Sequence, residues 1–275
     1  MSEYSMQKDG DELIDEEAAG HDEVEEQKRR LEGIITWAQR IRDHLQDILV
    51  AYGHRVHFRP ASTGFAMIGL LADAPQLGKG ALRNPERLAA TFDESFERWC
   101  ASRELGRPTP EKRLQSFLIR DAQTHDGRMA VLNDAAGDGT ALHFVTDEVA
   151  LPARNRKIVC DLLAVRRTRD GWIPVVIELK TERTLTRLVA QLSGFAEVVD
   201  SHSELFARLA SVRLGQEIRF DGGCEKWMVW PQLTGGGPEP REAQLAAEGI
   251  RVVGYRDAGD AGWRFNVGRA VVGTG

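Results

Sequence analysis

The chain has 275 residues, of which 42% are hydrophobic, enough for the buried cores of a globular protein of two domains. No stretch approaches the roughly 18 apolar residues of a membrane helix, and the first residues are acidic where a secretory signal is basic and then apolar. Three cysteines without a CxxC pair exclude a disulfide framework and a zinc knuckle, so we expect a cytoplasmic protein without membrane association.

The formal net charge of −6 is unevenly distributed along the chain. Residues 1 to 26 contain eleven acidic residues and a single basic residue, Lys8, which leaves about +4 for the remainder. A segment of this composition buries too little apolar surface to fold, and we predict that residues 1–28 form an acidic disordered tail. Such a tail is either a solubilising extension or a regulatory arm that competes with a polyanion for a basic groove.

Residues 29–105 are predicted to form a small N-terminal α/β domain. Apolar residues recur at helical spacing from 29 to 51, and residues 54–59 and 64–72 have the composition of short strands. The order Asn84-Pro85-Glu86 is typical of a helix start and predicts a helix to about residue 102. We find no catalytic constellation in this segment, so docking, dimerisation and DNA contact all stay open.

A second domain is predicted from residue 106 to residue 275. Thr109 as N-cap and Pro110 at the first helical position predict a helix after a break rich in glycine and proline. Residues 141–145, 157–165 and 173–180 then have strand patterns, and the Asp170-Gly171 turn predicts a hairpin between the last two. Further on, the patterns predict helices at 183–200 and 203–212, a strand at 226–230, a helix to about 248, and final strands at 251–255 and 263–267. This alternation is typical of a mixed α/β core.

Three charged residues interrupt the two strands of this hairpin. Asp161 lies inside an apolar run, and Glu178 and Lys180 end the next run. Because side chains alternate along a strand, Glu178 and Lys180 project from one face, and strand pairing can place Asp161 beside them. Two carboxylates in apolar surroundings are costly unless they share a cation, and Mg²⁺ accepts one or two carboxylates together with carbonyl and phosphate oxygens.

This pattern resembles the PD-(D/E)XK nuclease superfamily, whose signature is an acid on one strand followed by (D/E)xK at the end of the next. Here the acid is Asp161 and the triplet is Glu178-Leu179-Lys180, with sixteen residues between Asp161 and Glu178. The resemblance extends to an upstream helix with a glutamate, Glu111, and to a downstream QxxxY element of the RecB-like branch that begins at Gln191. Phe195 stands where that element has tyrosine.

The resemblance implies a restriction-endonuclease-like fold, a mixed β-sheet flanked by helices in the order αβββαβ, over nearly half of the chain. It implies a metal-dependent nuclease of defence, restriction or repair, acting on DNA more readily than on RNA. Asp161, Glu178, the Leu179 carbonyl and Glu111 would hold Mg²⁺ or Mn²⁺, Lys180 would serve the attacking water, and Gln191 would assist. A homodimer or a partner ATPase or complex is a further expectation, because the chain encodes no motor of its own.

Basic residues around the motif are candidates for phosphate contacts. They are Arg154, Arg156, Lys157, Arg183 and Arg187.

Several of these residues also have plainer interpretations. Asp161 can end a strand or pair with an arginine, and Glu178 and Lys180 can form an ion pair that faces solvent. Glu111 can simply complement a helix dipole, and Gln191 can be exposed. The functional alternative is a non-cleaving nucleic-acid-binding or scaffold protein on the same fold, and a third is a regulatory α/β protein with a coincidental motif.

Overall fold

A computed structural model of the chain describes residues 6–71, 74–75, 79–101, 109–137, 139, 141–153, 156–183, 188–232, 240–257 and 262–267. These residues form a mixed α/β protein with a six-stranded sheet flanked by helices and a smaller four-stranded sheet. The predicted α/β class and the mixed sheet flanked by helices are therefore confirmed. The break before the second domain, predicted around residues 106–108, lies outside the described residues.

The large sheet has the strand order β10-β9-β8-β7-β6-β5. Its strands are β5 (Leu142–Ala153), β6 (Arg156–Arg167), β7 (Trp172–Leu179), β8 (Glu225–Pro231), β9 (Ile250–Asp257) and β10 (Trp263–Val267). Strands β5, β6 and β7 are antiparallel neighbours, and the predicted hairpin between β6 and β7 turns at Asp170 and Gly171. Strands β7, β8 and β9 are parallel, so helical connections join them, and β10 returns antiparallel to β9.

Helices cover both faces of this sheet. They are α4 (Pro110–Thr124), α5 (Ala130–Ala136), α6 (Leu188–Ser201), α7 (Ser203–Leu214) and α8 (Pro240–Ala247). Helix α4 begins as predicted, because Thr109 Oγ1 accepts a hydrogen bond from Lys112 N at 3.3 Å and Pro110 occupies the first turn. Helix α6 begins at Leu188, whereas the sequence predicted a start at Arg183, which the structure places before the helix.

The side chains of alternate strand positions enter two separate cores. Trp230 packs in the core under α6 and α7, and Trp227 packs in the core under α4 and α5. Both indoles are buried, at 0% and 1% exposure, so these tryptophans are core residues on opposite faces of β8. Cys160 is also buried and is a free thiol.

The N-terminal unit has seven described elements. They are α1 (Met6–Tyr52), β1 (Val56–Ala61), β2 (Gly64–Leu71), β3 (Ala74–Pro75), β4 (Lys79–Leu82), α2 (Pro85–Ala90) and α3 (Phe92–Ala101). Strand β2 pairs with the other three strands, and Ile41, Leu45 and Ile48 of α1 pack onto this sheet with Phe58 and Phe65. The two predicted strands and the helix start at Asn84 are confirmed, although a break at Thr91 divides the predicted helix into α2 and α3.

Helix α1 differs from the sequence-based expectation at its start. It begins at Met6, upstream of the predicted residue 29, and Gln27 within the predicted tail is only 4% exposed. Gln27 Nε2 donates to Pro152 O at 2.8 Å. Glutamate, alanine, glutamine and lysine are strong helix formers, so this acidic composition suits a helix with a neighbour to pack on as well as a solvated tail. None of the described helices is long and apolar enough to span a membrane.

One helix therefore serves both sheets. Leu31, Ile34, Ile35 and Ala38 of α1 belong to the core of the large sheet, whereas the last turns pack on the small sheet. The N-terminal unit and the sheet that carries the motif are thus joined by one continuous helix.

We predict that Leu31→Ala lowers the free energy of unfolding of the whole protein by about 3 kcal/mol, because Leu31 is fully buried against the large sheet. Chemical denaturation measures the loss. Val24→Ala on the same helix is the control, since Val24 is 46% exposed and its truncation should change the free energy by less than about 0.5 kcal/mol. Equal effects of the two substitutions would show that α1 does not pack as described.

Candidate active site

The three motif residues meet where β7 ends beside β6. Backbone pairing between these strands stops at Leu162 and Ile177, and β6 continues past the end of β7. Asp161 precedes Leu162 on β6 and lies just beyond the last backbone pair. Glu178 precedes Leu179, the last residue of β7, and Lys180 follows it. The hairpin register thus places the two acids on neighbouring strands, as the sequence predicted.

Short contacts connect the three residues through the backbone of Leu179. Asp161 Oδ2 accepts a hydrogen bond from Leu179 N at 2.8 Å. Lys180 Nζ donates to Glu178 Oε1 at 2.7 Å and to Leu179 O at 3.0 Å. The lysine ammonium therefore lies on the carboxylate and the carbonyl that the resemblance assigns to a metal ion.

The two flanking helices bring the remaining predicted residues to this point. Glu111 in the first turn of α4 has its Oε2 atom 3.9 Å from Lys180 Nζ. Gln191 of α6 donates to Glu178 Oε1 at 3.3 Å and to Val159 O at 3.1 Å. The structure thus gathers Asp161, Glu178, Lys180, Glu111 and Gln191 in one site, and neither Glu111 nor Gln191 is merely a solvent-facing side chain.

Burial sets the electrostatics of the two acids. Glu178 is only 3% exposed, and burial together with the negative charge of Asp161 raises the pKa of Glu178 to about 7. Burial also raises the pKa of Asp161, although the hydrogen bond from Leu179 N and the charge of Lys180 oppose the shift. Burial alone would lower the pKa of Lys180, but the neighbouring carboxylates, above all Glu178, raise it above its ordinary value.

The site combines two acids that resist ionisation with one lysine that stays charged. In the ranges that the structure describes, no three histidine, cysteine, aspartate or glutamate side chains form a group that could hold a metal ion. The protein oxygens around Lys180 Nζ come instead from one carboxylate and one backbone carbonyl, with Asp161 and Glu111 close by.

Two residues of the site were not predicted from the sequence. Gln115 of α4 donates to Asp161 O at 3.1 Å, and Tyr255 of β9 donates its hydroxyl to Lys180 O at 3.1 Å. Gln115 follows Glu111 by four residues, so helical spacing could have placed both on one face. No local sequence pattern predicts Tyr255 as a site residue, because it reaches the site only through the parallel pairing of β8 and β9.

Phe195, which stands where the QxxxY element has tyrosine, is a core residue. It is 1% exposed and contacts Phe206.

The predicted phosphate contacts fall into three groups. Arg154 and Arg187 lie outside the described residues. Arg156 and Lys157 are exposed at the start of β6, about 15 Å of strand from Asp161. Arg183 is turned inward: its guanidinium donates to Pro231 O and Glu242 and lies 4.3 Å from the centre of the Trp230 ring. Its position therefore serves packing between β8 and α8, contrary to the predicted phosphate contact.

Comparison of the chain with protein-family models, with curated proteins and with solved structures gives no match. The geometry of the site is therefore the basis on which its chemistry is interpreted.

We predict that the Glu178 carboxyl titrates near pH 7 in the metal-free protein and that Asp161→Asn moves its pKa downward, because the Asp161 charge is one cause of the shift. The side-chain carboxyl signal in ¹³C NMR, followed from pH 4 to pH 9, measures both values. Asp121→Asn is the matched control, since Asp121 is also a buried aspartate that accepts a backbone hydrogen bond, from Val131 N. A Glu178 pKa that Asp161→Asn leaves unchanged would contradict the described proximity.

Proposed function

We propose that this protein is a metal-dependent nuclease of the PD-(D/E)XK type, with a restriction-endonuclease-like core formed by α4, β5, β6, β7, α6 and β8. The observation that carries the proposal is the convergence of Asp161, Glu178 and Lys180, with Glu111 and Gln191, at one point of the sheet. A chance motif gives no reason for two flanking helices to bring their matching residues to the same ion pair, Glu111 to Lys180 and Gln191 to Glu178.

The available donors fit a hard divalent cation. Mg²⁺ and Mn²⁺ prefer oxygen ligands, and Mg²⁺ commonly takes only one or two carboxylates from a protein and completes its shell with water and phosphate. Glu178 Oε1 and Leu179 O already accommodate a positive group, the Lys180 ammonium, at 2.7 and 3.0 Å. These two oxygens would hold the ion together with water and phosphate, so a cluster of three acidic side chains, which the described residues lack, is not required; Asp161 and Glu111 would lie beside it as further ligands. When bound, such an ion supplies positive charge that polarises a phosphoryl oxygen.

The chain's own residues have distinct roles in this proposal. The raised pKa of Lys180 favours a charged ammonium, which stabilises negative charge on the phosphate rather than acting as a general base. Gln191 orients the Glu178 carboxylate by donating to Oε1, and the Leu179 amide orients Asp161. Tyr255 holds the Lys180 carbonyl and thereby the backbone from which the lysine reaches the site.

A polyanionic substrate agrees with the charge distribution. Arg156 and Lys157 are exposed beside the end of the sheet at which Asp161 lies, and the chain beyond the acidic N-terminal segment has a positive net charge. We favour DNA over RNA, and a role in defence, restriction or repair, because the resembled superfamily mostly acts there. A second copy of the chain or a partner ATPase is part of the same proposal.

The test is cleavage of labelled single- and double-stranded DNA and RNA in Mg²⁺, Mn²⁺ or EDTA. We expect cleavage only with the metal ions and a loss of at least about a thousandfold in Lys180→Ala and Asp161→Ala, which remove charge-stabilising groups. Lys226→Ala and Asp121→Ala are the matched controls. Lys226 is another half-buried lysine of the sheet, bonded to Ser193 and Glu248 O, and both variants should retain activity.

Absence of cleavage on every substrate with nucleic-acid binding retained would favour the non-cleaving scaffold. Cleavage that persists in Lys180→Ala and Asp161→Ala would place the active site elsewhere or indicate a contaminating nuclease.

A further inference from the structure

A second cluster of buried charges lies between the small sheet and the large sheet. Asp147 of β5 is 1% exposed, and its carboxylate contacts His57 Nε2 at 2.9 Å and the guanidinium of Arg59. Both His57 and Arg59 belong to β1 of the N-terminal unit. These contacts therefore join the N-terminal unit, which has no assigned role, directly to the large sheet that carries the motif.

The charges in this cluster are balanced. Burial by itself would raise the pKa of Asp147, but Arg59 and His57 hold it well below its usual range, so the carboxylate is ionised. Burial lowers the pKa of His57, although the Asp147 carboxylate beside its Nε2 atom opposes the shift. Burial also lowers the pKa of Arg213, another neighbour of Asp147, to about 10. A buried carboxylate with these partners is costly to disturb, because removing one partner leaves a charge uncompensated.

The backbone of β5 is distorted to present two acids to the same cation. Glu148 has φ 46°, in the left-handed region, and the pairing of β5 with β6 shifts register a few residues earlier. Adjacent residues of a regular strand point to opposite faces, yet Arg59 contacts Asp147 and also Glu148 Oε2 at 2.5 Å. Non-glycine residues adopt this conformation at a cost, and surrounding contacts maintain it.

Side chains of helix α4 connect this cluster of buried charges to the candidate active site. Lys112 pairs with Glu148 and donates to Gln115 Oε1 at 2.9 Å, which fixes the orientation of the carboxamide. Gln115 Nε2 then faces Asp147 Oδ2 at 3.3 Å and Asp161 O at 3.1 Å. Gln115 is 1% exposed, so it makes these contacts in the protein interior. Asp161 is consequently held at its main chain by Gln115 and at its carboxylate by Leu179 N.

We propose that Gln115 is a positioning residue for Asp161, and that the N-terminal unit holds it in place through Arg59, Asp147 and Glu148. The unit is in this way part of the active site's support rather than a separate binding module. The proposal rests on the proposed nuclease function only for its effect on cleavage, because the hydrogen bonds exist whatever the site does. Residues that hydrogen-bond to metal-binding groups and so orient them typically contribute 10- to 100-fold to metal affinity or activity.

Amide hydrogen exchange of Leu179, measured by NMR in the metal-free full-length protein, tests the structural part. We expect exchange at least about tenfold faster in Gln115→Met, because a displaced Asp161 no longer accepts the Leu179 hydrogen bond. The matched control is Asn133→Leu. Asn133 is also a buried carboxamide, bonded twice to the Leu142 backbone, and its loss should leave Leu179 unchanged. If Gln115→Met does not fold, Leu179 exchange is measured in Arg59→Lys instead, because this substitution keeps the charge but has fewer hydrogen-bond donors.

Unchanged Leu179 exchange in Gln115→Met, or an equal increase in Asn133→Leu, would overturn the proposal. In the cleavage assay we expect a 10- to 100-fold slower rate for Gln115→Met and a rate within about twofold of wild type for Asn133→Leu. If the wild type cleaves nothing, the proposed nuclease function fails, whereas the exchange measurement still decides whether Gln115 positions Asp161.

Discussion

The repulsion between the buried Asp161 and Glu178 is the constraint on which the rest of the site depends. Two carboxylates on adjacent strands beside an apolar core are unfavourable unless donors or cations surround them. The chain supplies the Leu179 amide for Asp161, and Lys180 and Gln191 for Glu178. Even with these donors, the pKa of Glu178 stays near 7. A site of this kind favours the arrival of positive charge, which is the physical basis of the proposed metal binding.

The fold places this constraint where several elements meet. The β6–β7 hairpin provides the acids and the lysine, α4 and α6 approach from the two flanking layers, and β9 contributes Tyr255 through the parallel part of the sheet. Helix α1 and the small sheet add a further layer of support through Asp147 and Arg59. Because so many elements contribute one contact each, the geometry of the site is coupled to the packing of the whole chain.

The sequence was sufficient for the features that local spacing determines. The acids, the lysine and the Asp-Gly turn lie within twenty residues, so alternation along two strands predicted their meeting, and the caps at Asn84 and Thr109 predicted helix starts. Asp147 and Arg59 are 88 residues apart, and no local pattern predicted their pairing. The left-handed backbone at Glu148 also has no sequence signal, because it is imposed by its partners.

Two other differences have physical causes as well. Composition alone predicted disorder throughout residues 1–28, whereas Gln27 near the end of that segment is buried in α1 and donates to Pro152 O. Arg183 was grouped with phosphate contacts by its position in the sequence, whereas Trp230 and Glu242 attract its side chain inward. Whether a surface arginine has such neighbours depends on the fold and not on its own segment.

Calorimetric titration of the 275-residue chain with Mn²⁺ tests most directly the proposal that the oxygens around Lys180 bind a divalent cation. Because the pKa of Glu178 is raised to about 7, binding at pH 7 should release protons from this residue, seen as a dependence of the heat on buffer ionisation enthalpy. We predict one binding site that Glu178→Gln abolishes, with Glu242→Gln as a control that binds normally. Absence of Mn²⁺ binding, or binding that Glu178→Gln leaves intact, would contradict the account.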